Sequence, residues 1–275
     1  MQVPQIMLPG DVAMPQLGYG VWQIADDEAE TAVATAIETG YRHIDTASAY
    51  GNEKGVGLGL KKSGLPREDL FVVTKLWNDA QGYESTLAAF EESRTKLATE
   101  YVDLYLIHWP IPSKALFVDT WKACEKLLAD GVVRAIGVSN FQPAHLETLA
   151  QETGTVPAVN QVESHPMFRD TEIDAYGAEH GIVTEAWSPL GQGGVLTDPT
   201  LTAIAAEHGR SVAQVVLRWH LDSGRVAIPK SVTPSRIAEN IDLDFVLTSE
   251  QLAAIDGMNT GERIGPDPLF FGSDA

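Results

Sequence analysis

The sequence predicts an α/β protein, a (β/α)8 TIM barrel with an N-terminal β-hairpin closing its bottom. Three observations carry that reading. Short β-branched or apolar runs alternate with longer stretches of helical spacing. Eight such pairs fit into 275 residues. No low-complexity stretch, charge block or long linker interrupts them. Alternation of this kind implies parallel strands joined by helical crossovers. Eight repeats in this length suit a closed barrel better than an open doubly wound sheet.

Taken in order, residues Val3–Leu8 and Val12–Met14 flank Pro9-Gly10-Asp11 and read as a hairpin that plugs the barrel from below. The strand candidates are Leu17–Gly20, Arg42–Asp45, Leu70–Thr74, Val102–Ile107, Val133–Val138, Ala158–Glu163, Ile182–Ala186 and Arg225–Ile228. Helical spacing is clearest over Glu28–Thr39, Ser85–Leu97, Leu116–Asp130, Ala144–Gln151 and Val212–Leu221. Thr233 is expected to cap a last barrel helix that opens at Pro234. Residues 1–275 are read as one domain.

Composition narrows the function. A hydrophobic content of 44% supports one substantial core. A net charge of −19 argues against nucleic acid as partner, since no basic stripe offsets it. An anionic ligand would need local cations or a helix terminus. The single cysteine, Cys124, excludes an internal disulfide and fits a reducing compartment. The amino terminus lacks signal-peptide features, and no apolar run is long enough to span a membrane. The expected address is therefore cytoplasmic, with a monomer as the default state. No metal-ligand spacing occurs, so no metal is expected.

In such barrels reacting groups come from the carboxyl ends of the strands. The polar residues that end or follow the apolar runs are Asp45, Lys75, His108, Ser139-Asn140, Trp187-Ser188 and Lys230-Ser231; the sixth strand candidate carries Gln161, and Tyr50 stands five residues beyond Asp45. Each has a dull explanation alone: a satisfied histidine, a solvated lysine head, an aspartate in a turn. So many at one end of independent strands are hard to assign to stability.

The run from Gly40 to Glu53 (GYRHIDTASAYGNE), the run Ile136–Phe141 (IGVSNF), and Ile228-Pro229-Lys230-Ser231 followed by Arg236, Glu239 and Asn240 resemble three signatures of the aldo-keto reductase family. Within it, the stretches Gln16–Val21, Lys75–Asp79 and Pro189–Gly193 are most similar to bacterial 2,5-diketo-D-gluconate reductases. Cys124 stands where that family usually carries an aliphatic or aromatic residue, a matter of helix packing. The resemblance implies NADPH-dependent reduction of a small-molecule carbonyl by a tetrad of Asp45, Tyr50, Lys75 and His108. Its chemistry is coherent. An alkoxide left by hydride addition needs a proton, and a free phenol with pKa about 10 is a reluctant donor. An ammonium beside it favours the phenolate, and an imidazole can polarise the carbonyl.

The resemblance further implies that Ser139, Asn140 and Gln161 bind the nicotinamide carboxamide and that Trp187 stacks on its ring. Ser188, Leu190, Gly191 and Gln192 would cover the pyrophosphate. Lys230, Ser231, Val232 and Arg236 would hold the 2′-phosphate, with Glu239 and Asn240 at the adenine. Trp22, Trp77, His108 and Trp109 are expected to wall the substrate pocket. The glycine run 55–59 imitates a dinucleotide fingerprint, but Leu60 occupies its last glycine position and no strand directly precedes it, so it reads as the opening of a helix packed tightly on the barrel. The leading substrate expectation is 2,5-diketo-D-gluconate, with broad aldehyde or methylglyoxal reduction as the alternative. From other classes come a non-catalytic binding protein on the same barrel and an aldolase using Lys75 as a Schiff base.

Overall fold

The computed structural model describes residues 3–272. Strands β1 (Gln5–Leu8) and β2 (Val12–Pro15) form the antiparallel hairpin, turning at Gly10 and Asp11, both at positive φ. Eight parallel strands follow in sequence order around one sheet: β3 (Tyr19–Gly20), β4 (His43–Asp45), β5 (Phe71–Leu76), β6 (Val102–Ile107), β7 (Val133–Ser139), β8 (Val159–Glu163), β9 (Val183–Trp187) and β10 (Val226–Ala227). The sheet closes on itself at Leu17 and Ala227. There Gly18 N donates to Ala227 O (2.9 Å), Ala227 N to Gln16 O (2.9 Å) and Gly20 N to Pro229 O (3.1 Å). The expected barrel and hairpin are both present.

Eight crossover helices surround it: α1 (Asp26–Thr39), α2 (Glu53–Lys62), α3 (Tyr83–Leu97), α4 (Phe117–Ala129), α5 (Pro143–Glu152), α6 (Thr171–His180), α8 (Val212–Asp222) and α9 (Pro234–Ile241). Two helices beyond these eight, α7 (Pro199–His208) and α10 (Ser249–Asp256), pack against α8 through Leu201, Ile204, Trp219 and Ile255. Their starts are written in the sequence. The Asp198 side chain accepts from Thr200 N and Leu201 N before a Pro at the first position, and Thr248 with Gln251 forms a capping box.

Two cores result. Val12 and Met14 of the hairpin meet Phe71, Val73, Leu104, Leu106 and Val159 inside the bottom of the barrel, as a plug should. The larger core lies between sheet and helices. The glycine run lies inside α2 rather than opening it, and it packs on helices rather than on the strands. A Cβ at Gly55 would fall 2.0 Å from Asp26 O, and one at Gly57 would fall 2.5 Å from Leu97 O. Close packing against α1 and the end of α3 is its role. Thr233 sits at the N-cap of α9, but its side chain caps nothing. Ser231 Oγ accepts from Thr233 N (3.1 Å) instead. Among the described residues no helix is long and apolar enough to cross a membrane. Cys124 is fully buried in the core.

Candidate active site

All the chemistry gathers at the carboxyl end of the barrel, around one cavity of about 960 Å³. Asp45 ends β4, Lys75 lies near the end of β5, and His108 follows β6. A short 3-10 turn over Ser48–Tyr50 swings the phenol back to meet them. Lys75 Nζ donates to Asp45 Oδ1 (2.6 Å) and Thr46 O (2.8 Å), and it lies 3.4 Å from the Tyr50 hydroxyl. The Lys75 side chain is fully buried. Burial works against its ammonium, but chiefly the Asp45 carboxylate, which also accepts its hydrogen bond, overcomes that and holds its pKa above the ordinary lysine value. A lysine held charged in this way is not the free amine a Schiff base requires.

For Tyr50 the expectation needs correcting. Lys75 does pull the phenol pKa down, but burial is the larger influence and the net direction is upward. Lys75 offsets part of a desolvation penalty while its charge is shared with Asp45. Tyr50 is accordingly protonated at neutral pH, which suits a proton donor. Burial, and secondarily the Lys75 charge, drives the His108 pKa well below the ordinary value, so the ring is neutral. Its Nδ1 is buried without a partner. Stranding a lone pair costs less than stranding an N–H, which puts the proton on Nε2. The His108 ring stands edge-on to Tyr50 and Trp77, with centroids 5.7 and 5.1 Å away.

The remaining predicted residues mostly line the same cavity: Trp22, Trp77, Trp109, Ser139, Asn140, Gln161, Trp187, Ser188, Leu190, Gln192, Lys230, Ser231, Arg236, Glu239 and Asn240. Two do not. Gly191 is buried within the turn Gly191–Gly193, and Val232 is exposed outside the cavity lining. Several polar groups already serve one another. Ser139 Oγ donates to Gln161 O, Asn140 Nδ2 donates to His108 O and Ser139 Oγ, and Trp187 Nε1 donates to Asn140 Oδ1. Gln161 spends its amide nitrogen on Asp45 Oδ2 (2.9 Å) and Glu185 Oε2 (2.8 Å), and among the described residues its Oε1 has no partner.

Lys230 and Arg236 are the cavity's cations, and among the described residues neither side chain has a hydrogen bond or ion pair. Two unpaired cations beside the first turn of α9, in a chain of net charge −19, fit a phosphate-bearing ligand.

Sequence reasoning left open whether the tail covers the pocket. Ile264, Gly265, Pro266 and Phe271 close one wall of the cavity. Glu163 anchors them by accepting from Ile264 N (2.7 Å) and Gly265 N (3.0 Å). Ser211–Ala213 at the start of α8 was missed, and so was Glu185 within β9.

A closed barrel with a buried lysine, a phenol and a neutral imidazole converging at its carboxyl end defines an enzyme of the oxidoreductase class acting on carbonyls. The chain belongs to the Aldo/keto reductase family, whose model matches residues 14–260. It is 52% identical to a glyoxal reductase of Bacillus subtilis over 265 residues, covering 96% of this chain and 95% of that protein. It is 49% identical to a methylglyoxal reductase of Escherichia coli over 270 residues, covering 97% and 98%. Among solved structures it resembles a mutant of Gox0644 in complex with NADPH, with TM-score 0.94, 46% identity and 98% of each chain covered.

Proposed function

We propose that the protein is an NADPH-dependent reductase of small, neutral carbonyl compounds, with methylglyoxal and related 2-oxoaldehydes as preferred substrates. The approach of Lys75 Nζ to within 3.4 Å of the Tyr50 hydroxyl, beside a neutral His108, carries the reading. NADPH, when bound, supplies the hydride that goes to the carbonyl carbon. Trp187, Ser139, Asn140 and Gln161 Oε1 would hold its nicotinamide end, and Ser188, Leu190, Gly191 and Gln192 its pyrophosphate. Lys230, Ser231 and Arg236 would take the 2′-phosphate, Val232 contributing backbone only, and Glu239 and Asn240 the adenine. His108 Nε2–H donates to the substrate carbonyl oxygen and aims it at Tyr50. Tyr50 then gives its proton to that oxygen, and Lys75 stabilises the phenolate that remains. Asp45 keeps Lys75 charged and in place.

Two observations favour a neutral substrate over 2,5-diketo-D-gluconate. The cavity's free cations follow β10, across the barrel from Trp77 and Trp109, which follow β5 and β6. Lys75, the cation near His108, is already paired to Asp45. An anionic sugar acid at the aromatic wall would find no free positive charge. The relatives named for glyoxal and methylglyoxal point the same way. The stretches Lys75–Asp79 and Pro189–Gly193 keep 2,5-diketo-D-gluconate as the second reading. NADPH absorbance across a panel of methylglyoxal, glyoxal, simple aldehydes and 2,5-diketo-D-gluconate decides between them. A kcat/KM for the sugar acid about tenfold above that for methylglyoxal, a difference of roughly 1.4 kcal/mol in transition-state binding, reverses the order.

A further inference from the structure

Glu185 is a carboxylate in the middle of β9, fully buried, with no role in the steps above. Its surroundings are unusually specific. Oε2 accepts from Gln161 Nε2, the same nitrogen that donates to Asp45 Oδ2. Oε1 lies 3.4 Å from His43 Nε2 on β4, and neither atom has a conventional partner. The other side of the imidazole settles its tautomer. His43 Nδ1 lies 3.1 Å from Pro15 O, and a carbonyl only accepts, so Nδ1 carries the proton. Nε2 is then a lone pair facing a carboxylate oxygen. Two acceptors at that distance make sense only with a proton between them. Placing one on Glu185 Oε1, donating to His43 Nε2, satisfies both atoms at once.

We propose that Glu185 is a positioning residue of the active site, a neutral carboxylic acid that donates a hydrogen bond to His43 Nε2 and fixes Gln161 and Asp45 beneath Lys75 and Tyr50. Neutrality is what the place demands. Asp45 and Lys75 already cancel, and a second buried carboxylate bridged to Asp45 by one amide nitrogen would leave an uncompensated charge. The groups that face the Glu185–His43 pair are Asp45 from β4, Lys75 from β5, Asp103 from β6, Tyr50 from its turn and Gln161 from β8. From the β3 side comes only backbone, since a Cβ at Gly18 would strike His43 Nδ1 at 2.7 Å. Burial and then the Asp45 charge raise the Glu185 pKa to about 8, while burial lowers that of His43 to about 4. Both directions agree with the hydrogen-bond geometry. If Glu185 ionised, its charge would oppose that of Lys75 and make Tyr50 a weaker acid.

This inference rests on the catalytic reading of Tyr50 and Lys75, but its first test does not. Infrared spectroscopy of the whole enzyme should show a protonated carboxyl band at neutral pH that is absent from Glu185→Gln and titrates away in wild type near pH 8. Absence of that band in wild type overturns the proposal whatever the activity. Kinetics give the second test. Glu185→Leu should lower kcat about tenfold, equivalent to one unit in Tyr50 acidity. Glu185→Gln should restore it, because its amide can accept from Gln161 and donate to His43. Wild-type kcat should decline as pH rises through about 8, and the Gln variant should lack that decline. Equal loss in both variants, or an unchanged alkaline limb, would show that Glu185 does not act as a neutral hydrogen-bonding acid. Full activity in Tyr50→Phe would sink the catalytic reading instead and leave the infrared result standing.

Discussion

Phe271 lies against Trp109 with ring centroids 4.2 Å apart and planes tilted by 39°. The contact joins the last described residues of the chain to the loop after β6. It gives the aromatic wall a face that no barrel strand supplies, and Trp77 meets the same ring at 6.4 Å.

Phe271→Ala should therefore raise KM for small carbonyls by about 2- to 10-fold, the worth of a lost aromatic pair at roughly 0.5–1.5 kcal/mol. Its kcat should change little, because Tyr50, Lys75 and His108 are held by barrel strands and their own turn. Steady-state kinetics with methylglyoxal check this. A fall in kcat with KM unchanged would mean that the tail acts on chemistry rather than on binding.

Tyr50→Phe should cost 10²–10⁴-fold in kcat, the usual consequence of losing a general acid. Lys75→Met should act through the same proton. The double variant should then be far less active than wild type, yet close to the worse single variant rather than to the product of both losses. Multiplicative losses would separate the two residues' roles. NADPH binding, followed by fluorescence quenching, should survive in Tyr50→Phe.

Arg236→Ala tests the phosphate end. A hydrogen bond to a charged group contributes roughly 1.5–3 kcal/mol, so the loss in NADPH affinity should be about 10- to 150-fold. NADH, which lacks the 2′-phosphate, should bind nearly as before. Equal weakening of both cofactors would move the 2′-phosphate away from Arg236 and Lys230.

How much of this was legible before any coordinates? Periodicity exposed the eight strands because their runs are almost wholly apolar, as in β5 and β6, where every residue is buried. The residues at strand ends were visible because they break those runs. The tail was not, because residues 261–272 have no helical or strand period, and Phe271 matters only through contacts with Trp77 and Trp109 more than 160 positions away. Glu185 did leave a mark: an acid inside Ile182–Trp187 breaks an otherwise continuous barrel strand. A search confined to strand ends passes over it. The Tyr50 acidity was misjudged for a different reason. Sequence names the ammonium beside a phenol, but not how much water burial removes.

The paired His43 and Glu185 also make a prediction about stability. His43, ordinarily near 6.5, is lowered to about 4 in the fold. Its contribution is therefore fully present above pH 6.5 and lost as pH falls through about 4. Glu185, ordinarily near 4.5, is raised to about 8. Its contribution is fully present below pH 4.5 and lost as pH rises through about 8. Between 4.5 and 6.5 the two slopes oppose each other. The unfolded chain there holds a proton on histidine and none on glutamate, while the folded chain holds one on glutamate and none on histidine. One proton is bound in each state, so the pair adds no pH dependence. From 6.5 to 8 only the Glu185 slope remains, and the folded state should lose stability steadily. Other buried histidines, such as His108 and His220, steepen the acid side but leave this alkaline window alone. Thermal unfolding across that window should show a falling Tm in wild type and a flat one in Glu185→Gln. A wild-type slope that persists in the variant would assign the alkaline loss to a different group.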